Sequence, residues 1–274
     1  MLSAILLFIT LLVGLYLVAL HPNTQRARMF RPFERQYIAH RGFFDNDEDH
    51  PENSLAAFAL AVKHGYGIEL DVRMTADQKL VVFHDDNLFR MCNVTHNIEQ
   101  CTFEELQQYH LANSSEKIPL FTDVLAIIAG KVPIIVEIKD TARWRETTEE
   151  TAKILDEYKG HYCIESFNPF IITWYKKNRP EVVRGILSTN FFKDKPPLGF
   201  FKKLFLTNLL FNFIATPDFI AYNHKHKDQF SYKLLRRLYR VKNVAWTIKS
   251  QQELKDAKSV FTCFIFDSFV PDKK

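Results

Sequence analysis

The sequence predicts an α/β fold, a (β/α)8 TIM barrel with an N-terminal transmembrane helix. Three observations predict it. Eight short runs rich in β-branched and aromatic residues alternate with helix-periodic stretches over residues 36–270. Histidines and charged residues gather at the carboxyl ends of those runs, where barrel active sites lie. The first twenty residues carry no charged side chain. A length of 274 residues with 47% hydrophobic and 25% charged content suits one barrel domain.

Residues 1–20 reach the ~20 apolar residues that a spanning helix needs. A signal peptide is the competing reading, but it wants a basic leader and a small-x-small cleavage site, and neither is evident. Residues 21–35 hold four arginines, Arg26, Arg28, Arg31 and Arg35, against Glu34 alone. They read as a basic linker that, by the positive-inside tendency, places the globular domain on the cytoplasmic side; contact with anionic headgroups on either face is the alternative.

The expected barrel strands are Tyr37–His40, Ile68–Val72, Ile134–Ile138, Tyr162–Ser166, Val183–Leu187, Phe219–Tyr222, Val244–Thr247 and Cys263–Asp267. Leu80–Phe83 is set aside as the return arm of a hairpin. Helical periodicity marks Ser54–Gly65, with Asn53 as its expected cap, then Phe103–Tyr109, Phe121–Ala129, Thr147–Tyr158, Pro169–Asn178 and Tyr232–Tyr239. The stretch 198–215 is intensely apolar and aromatic. It reads equally as a membrane-interface insertion at the barrel mouth or as a buried barrel helix.

A net charge of +4 argues against dedicated nucleic-acid binding. Cys92, Cys101, Cys163 and Cys263 have neither zinc-ligand spacing nor the density of a disulfide scaffold. The chemistry concentrates between Gln36 and Asp85. Alternation sends Glu69 and Asp71 to one face, two carboxylates that repel unless a cation lies between them. With Asp77-Gln78 as a two-residue turn, Ala76 faces Lys79 and Asp71 faces His84. His40 and His84, each beside carboxylates, suit general acid and base roles, and oxygen ligands suit Mg²⁺ or Ca²⁺. Alternation likewise sends Glu137 and Lys139 into the barrel, where an unpaired charge is costly. Glu137 as third metal carboxylate and Lys139 as phosphate partner explain both, and a local ion pair is the plainer alternative.

The motifs His40-Arg41-Gly42, Pro51-Glu52-Asn53-Ser54, Glu69-Leu70-Asp71, Thr75-Ala76-Asp77 and His84-Asp85, followed by Ile118-Pro119-Leu120, Glu137-Ile138-Lys139, Ser166-Phe167, Ala245-Trp246-Thr247 and Phe266-Asp267, resemble the glycerophosphodiester phosphodiesterase family over residues 36–270. Three positions depart from that pattern: Ser54 in place of Thr, Gln78 in place of a turn Gly, and Phe266-Asp267 in place of Thr-Asp. The last is expected to touch the final strand and not the chemistry.

The resemblance implies hydrolysis of glycerophosphodiesters to glycerol 3-phosphate and an alcohol, with water or a neighbouring glycerol hydroxyl as nucleophile. One divalent cation, Mg²⁺ or Ca²⁺, held by Glu69, Asp71 and Glu137 would neutralise the phosphodiester, with Arg41 and Lys139 on its oxygens and Trp246 beside the glycerol. The anchor and the bilayer it implies favour lysophospholipids over purely soluble diesters. A phosphatidylinositol-type lyase forming a cyclic phosphate and a non-catalytic membrane-anchored binding protein are the alternatives. The carboxylate set argues against a metal-independent lyase, and the absence of gaps in the constellation argues against the binding protein.

Overall fold

Period-two alternation sorts each strand's side chains between a barrel interior and an outer layer packed under helices. In the computed structural model, which describes residues 1–272, these strands are β1 (Tyr37–His40), β2 (Gly67–Met74), β3 (Leu80–Val82), β4 (Ile134–Ile138), β5 (Tyr162–Ser166), β6 (Val183–Ser188), β7 (Phe219–Asn223), β8 (Lys242–Ile248) and β9 (Cys263–Phe266). Their order is β1-β9-β8-β7-β6-β5-β4-β2-β3, and β1 also pairs with β2. Among the described residues, eight parallel strands thus close into a barrel, and β3 is an antiparallel extension on β2. All eight expected barrel strands form.

The interior has two storeys. Below, Ile38, Ile135, Cys163, Val183, Phe219, Val244 and Cys263 make an apolar layer. Gly185 makes room for Phe219, since a Cβ there would come 2.2 Å from the Phe219 ring. Above, two residues further along β1, β2, β4 and β5, the same face carries His40, Asp71, Glu137 and Glu165. Outside, Ala39, Leu70, Val136 and Ile164 pack under the helices in one continuous core.

Two expectations about the chain's connections are revised. The stretch 21–35 does more than link. Residues Ala27–Phe33 form a 3-10 turn whose Phe30 and Phe33 are buried with the lower interior layer, Phe30 lying 5.0 Å from the Phe219 ring. Arg26 sits 3.6 Å from Asp218 and donates to the Glu181 carbonyl, so this arginine ties the chain to the barrel floor. The stretch 198–215, expected as a single helix, is broken into Phe200–Thr207 and Asn212–Ala215 and forms part of the crossover from β6 to β7. It is two-faced. Leu206, Leu209 and Ala215 are buried, whereas Phe200, Phe201, Phe205 and Phe213 are exposed.

The helix Leu2–Leu20 is long and apolar enough to cross a membrane. Its last turns are docked on the barrel. Tyr16 donates to Ser231 Oγ at 2.6 Å, the Leu17 carbonyl accepts from Tyr239, and the Leu20 carbonyl accepts from Asn212. Because the helix Phe230–Tyr239 starts at the barrel mouth and ends at its floor, the pairs Tyr16–Ser231 and His21–Tyr239 fix a direction. The exposed part, Leu2–Leu15, therefore projects past the mouth.

Candidate active site

β1 ends in a tight turn that the sequence His40-Arg41-Gly42 makes possible. Arg41 and Gly42 both take positive φ, 57° and 87°, and a Cβ on Gly42 would approach Ala57 to 2.9 Å, so only glycine fits there. The turn aims the Arg41 backbone N–H at Glu69 Oε2, 3.1 Å away, and its guanidinium at Glu52, 2.8 Å, and Asp71, 3.5 Å. Asn53, also left-handed at 58°, donates its backbone N–H to the Arg41 carbonyl and its side chain to Asp71 at 2.9 Å. The expectation that Asn53 caps the following helix is thereby corrected. Ser54 is the cap, accepting from the Ala57 N–H at 3.0 Å, and Asn53 is committed to the carboxylate.

The hairpin delivers His84 with a register one residue away from that expected. Val72 pairs with Val82, Arg73 with Val81 and Met74 with Leu80, so Asp71 faces Phe83, whose N–H donates to the Asp71 carbonyl. The loop is Ala76-Asp77-Gln78, closed by Thr75 and Lys79, with Gln78 at φ 63° where glycine is the easier residue. The Thr75 hydroxyl, donating to Asp77 and accepting from the Lys79 N–H, stabilises this longer turn. His84 lies beyond the paired strand and still lines the central cavity.

That cavity, about 120 Å³, is bounded by His40, Arg41, Glu69, His84, Glu137 and Glu165, with Phe167 and Trp246 on its wall. Each histidine is held by a carboxylate at Nδ1: His40 by Asp267 at 2.8 Å and His84 by Asp85 at 2.6 Å. With Nδ1–H assigned to the carboxylate, Nε2 is left as the nitrogen that can exchange a proton. His40 Nε2 stands 3.9 Å from Glu69. Burial lowers the His40 pKa even though Asp267 opposes the shift.

Glu69, Asp71 and Glu137 offer oxygens that lie within 4.8 Å of one another. Lys139 reaches Asp71 at 2.8 Å and Glu137 at 2.9 Å. Burial raises the Glu69 pKa well above its usual value, and the charges of Asp71 and Glu137 add to that. Asp71 goes the other way: burial would raise it, but Lys139, His84 and Arg41 outweigh burial and hold it well below. The donor set fits a hard divalent cation. Glu69, Asp71, Glu137 and the neighbouring Glu165 are four buried carboxylates, and of the cations beside them Lys139 and Arg41 supply only two charges, Arg41 being shared with Glu52.

The expected site residues His40, His84, Glu69, Glu137, Arg41 and Trp246 line this one cavity, and Asp71 and Lys139 join it through their ion pairs. Three further residues come with them. Asp267 holds His40 at Nδ1; it is the aspartate shared with the resembled pattern, and the departure lies at Phe266, which packs outside the barrel against Tyr66. Arg90 bridges Glu52 at 2.6 Å and Asp85 at 2.7 Å, linking the supports of Arg41 and His84. Glu165, only 1% exposed, lies beside Glu137 in register, and among the described residues its Oε2 has no hydrogen-bond partner. Period-two counting along Tyr162–Ser166 could have found Glu165. Nothing local in the sequence marks Arg90.

Asp267 gives a pH signature. Burial would raise its pKa, but the His40 hydrogen bond and charge outweigh burial and bring it down to about 2. A depressed folded-state value stabilises the fold above the usual carboxylate value near 4, and that contribution is lost as pH falls through about 2. The stability difference between wild type and Asp267→Asn is therefore expected to be full above about pH 4 and to shrink toward pH 2. Urea denaturation at stepped pH measures it, and a pH-independent difference would contradict the assignment.

The model of the "Glycerophosphoryl diester phosphodiesterase family" matches residues 40–267. The chain belongs to this family. A glycerophosphodiester phosphodiesterase of Caldanaerobacter subterraneus is 33% identical over 161 residues, which cover 55% of this chain and 65% of that protein. A human lysophospholipase D is 32% identical over 141 residues, 47% of this chain and 44% of that protein. The chain thus spans less than two thirds of the length of each of these two relatives. Among solved structures, an Oleispira antarctica phosphodiesterase in complex with the product sn-glycerol-3-phosphate superposes with a TM-score of 0.69 at 23% identity, covering 87% of this chain and 94% of that one. A Thermotoga maritima glycerophosphodiester phosphodiesterase gives 0.67 at 22%, covering 85% and 95%. At that identity the likeness is one of fold, and the fold is the barrel.

Proposed function

We propose that this chain hydrolyses glycerophosphodiesters, lysophospholipids among them, to glycerol 3-phosphate or lysophosphatidate and an alcohol, by a metal-dependent reaction in which His40 and His84 share the proton transfers. The observation that carries the reading is a pair of carboxylate-held histidines on one cavity with a cluster of three carboxylates. A bound Mg²⁺ or Ca²⁺ on Glu69, Asp71 and Glu137 would neutralise the diester's charge and polarise its P–O bonds. Arg41 and Lys139 bind the non-bridging oxygens, and Trp246 walls the glycerol side. One imidazole takes the proton of the attacking water, or of a neighbouring glycerol hydroxyl whose cyclic phosphate a water then opens, through Nε2 as the new P–O bond forms. The other gives its proton to the departing oxygen as the old bond breaks. Asp267 and Asp85 hold the rings in the tautomer that these transfers need.

The helix Leu2–Leu20 acts as a single-pass membrane anchor in this reading, with the barrel on the cytoplasmic side by the charge of residues 21–35. Its docked end at Tyr16, Leu17 and Leu20 supports retention over cleavage. The free part, Leu2–Leu15, measures about 21 Å at 1.5 Å per residue, shorter than a bilayer core of about 30 Å. Full insertion therefore draws the mouth and its exposed phenylalanines into the interfacial layer.

The test is turnover of glycerophosphocholine and lysophosphatidylcholine by the full chain in lipid nanodiscs, with release of choline as the readout. Choline from either substrate supports the activity, and a preference for the lysolipid supports the membrane seating. Production of a stable cyclic phosphate would replace hydrolysis by the lyase reaction, and no turnover of either by folded protein would sink the reading.

A further inference from the structure

Beside the catalytic cavity lies a second one, about 440 Å³, between the start of the helix Pro169–Asn178 and the broken crossover. Phe167, Phe170, Phe201, Phe205, Leu206 and Phe211 line it. Phe167 belongs to both cavities and stands edge-on to Trp246, with ring centres 5.6 Å apart. The polar groups at the groove are few. Asp140 is taken up by Lys202 at 3.6 Å and by Asn168 at 2.7 Å. Walls that are mostly aromatic, with Lys202 at the rim already paired with Asp140, fit a hydrocarbon better than a sugar or a second phosphate.

We infer that this groove binds the acyl chain of a lysophospholipid whose phosphodiester occupies the neighbouring catalytic cavity. The inference rests on the proposed lysophospholipid hydrolysis and adds where the chain lies. Three features select this occupant. The groove adjoins the catalytic cavity, the two sharing the Phe167 side chain as a common wall, so a single molecule that passes this ring reaches both. It opens on the mouth, the side past which the apolar helix Leu2–Leu15 projects and where a lipid would arrive. Phe201 and Phe205, exposed on that face, also line the groove, so a chain leaving the bilayer would stay in apolar surroundings throughout. Room for one chain beside one cavity also sets single-chain lipids apart from two-chain phospholipids.

The experiment uses the full chain in nanodiscs and lysophosphatidylcholines of six to sixteen carbons. For the short-chain lysolipids that reach the groove from water, each methylene that enters it raises kcat/KM by up to about fourfold, from a transfer free energy of ~0.8 kcal/mol. Phe205→Ser and Phe211→Ser are expected to flatten the rise with chain length. Phe205→Trp, which narrows the groove, is expected to move the optimum to shorter chains. Phe213→Ser, on the exposed face outside the groove, is expected to keep the wild-type slope. Equal slopes in all four variants would overturn the groove while leaving lysolipid hydrolysis standing. If wild type turns over no lysolipid, the activity reading fails, and the groove is judged by a lysophosphatidylcholine carrying a photoactivatable diazirine on its chain. Labelling at residues 201–211 with labelling lost in Phe205→Trp upholds it. Labelling confined to residues 2–15, or equal labelling by a two-chain probe, overturns it.

Discussion

Replacing His40 by alanine is expected to lower kcat on glycerophosphocholine by about 10²–10⁴-fold, the usual worth of a positioned acid or base. The ring sits at the end of β1, fixed at Nδ1 by Asp267 and directed at the carboxylate cluster through Nε2, so nothing else at that position can exchange the proton. His84→Ala is expected to lose a similar factor, and the double variant little more than either single one, because both groups serve one transition state. Asp267→Asn keeps the ring and loses its tautomer control, so kcat falls with KM nearly unchanged. Steady-state kinetics beside circular dichroism distinguishes these outcomes. A folded His40→Ala protein with more than a tenth of wild-type kcat would remove His40 from the proton transfers.

How much of this was legible in the sequence depended on how local the cause was. Barrel strands are set by alternation within five or six residues, and all eight were readable. So was the sorting of Glu69, Asp71, Glu137 and Lys139 to one interior face, because a side chain's face follows from counting. The hairpin register failed by one residue because the turn is closed by the Thr75 hydroxyl, a side-chain preference that no alternation records. Asn53 looked like a cap because Asn is a good one, yet the carboxylate of Asp71, eighteen positions away, claims its amide. Asp267 belongs to a motif that the sequence shows, but nothing near it in the chain tells which group it holds. Its partner His40 is 227 residues distant, and only closure of β9 against β1 brings them together. Residues 21–35 looked like a linker because their arginines dominate the composition. The two phenylalanines that plug the barrel floor carry the structural weight.

Chelation with EDTA is expected to abolish turnover and Mg²⁺ or Ca²⁺ to restore it, and the carboxylate variants should show why. Without an ion the cluster works against the fold. Burial and the neighbouring charges raise the Glu69 pKa well above its usual value, so between that value and the raised one the folded protein binds an extra proton. Stability of the chelated protein should therefore fall as pH rises through this window. Glu69→Gln removes the repulsion, and the chelated variant is expected to be at least as stable as chelated wild type at pH 7. The ion reverses the comparison. At a hundred times its dissociation constant it stabilises wild type by about 2.7 kcal/mol, a shift of roughly 5–10 °C for a domain near this size. Glu69→Gln and Glu137→Gln should lose most of that shift together with activity. Thermal melts of the three proteins with EDTA and with each cation provide the measurement independently of catalysis. Equal cation-induced shifts in wild type and both variants would place the ion elsewhere, and Lys139, already bridging Asp71 and Glu137, would then be the cluster's own counter-ion.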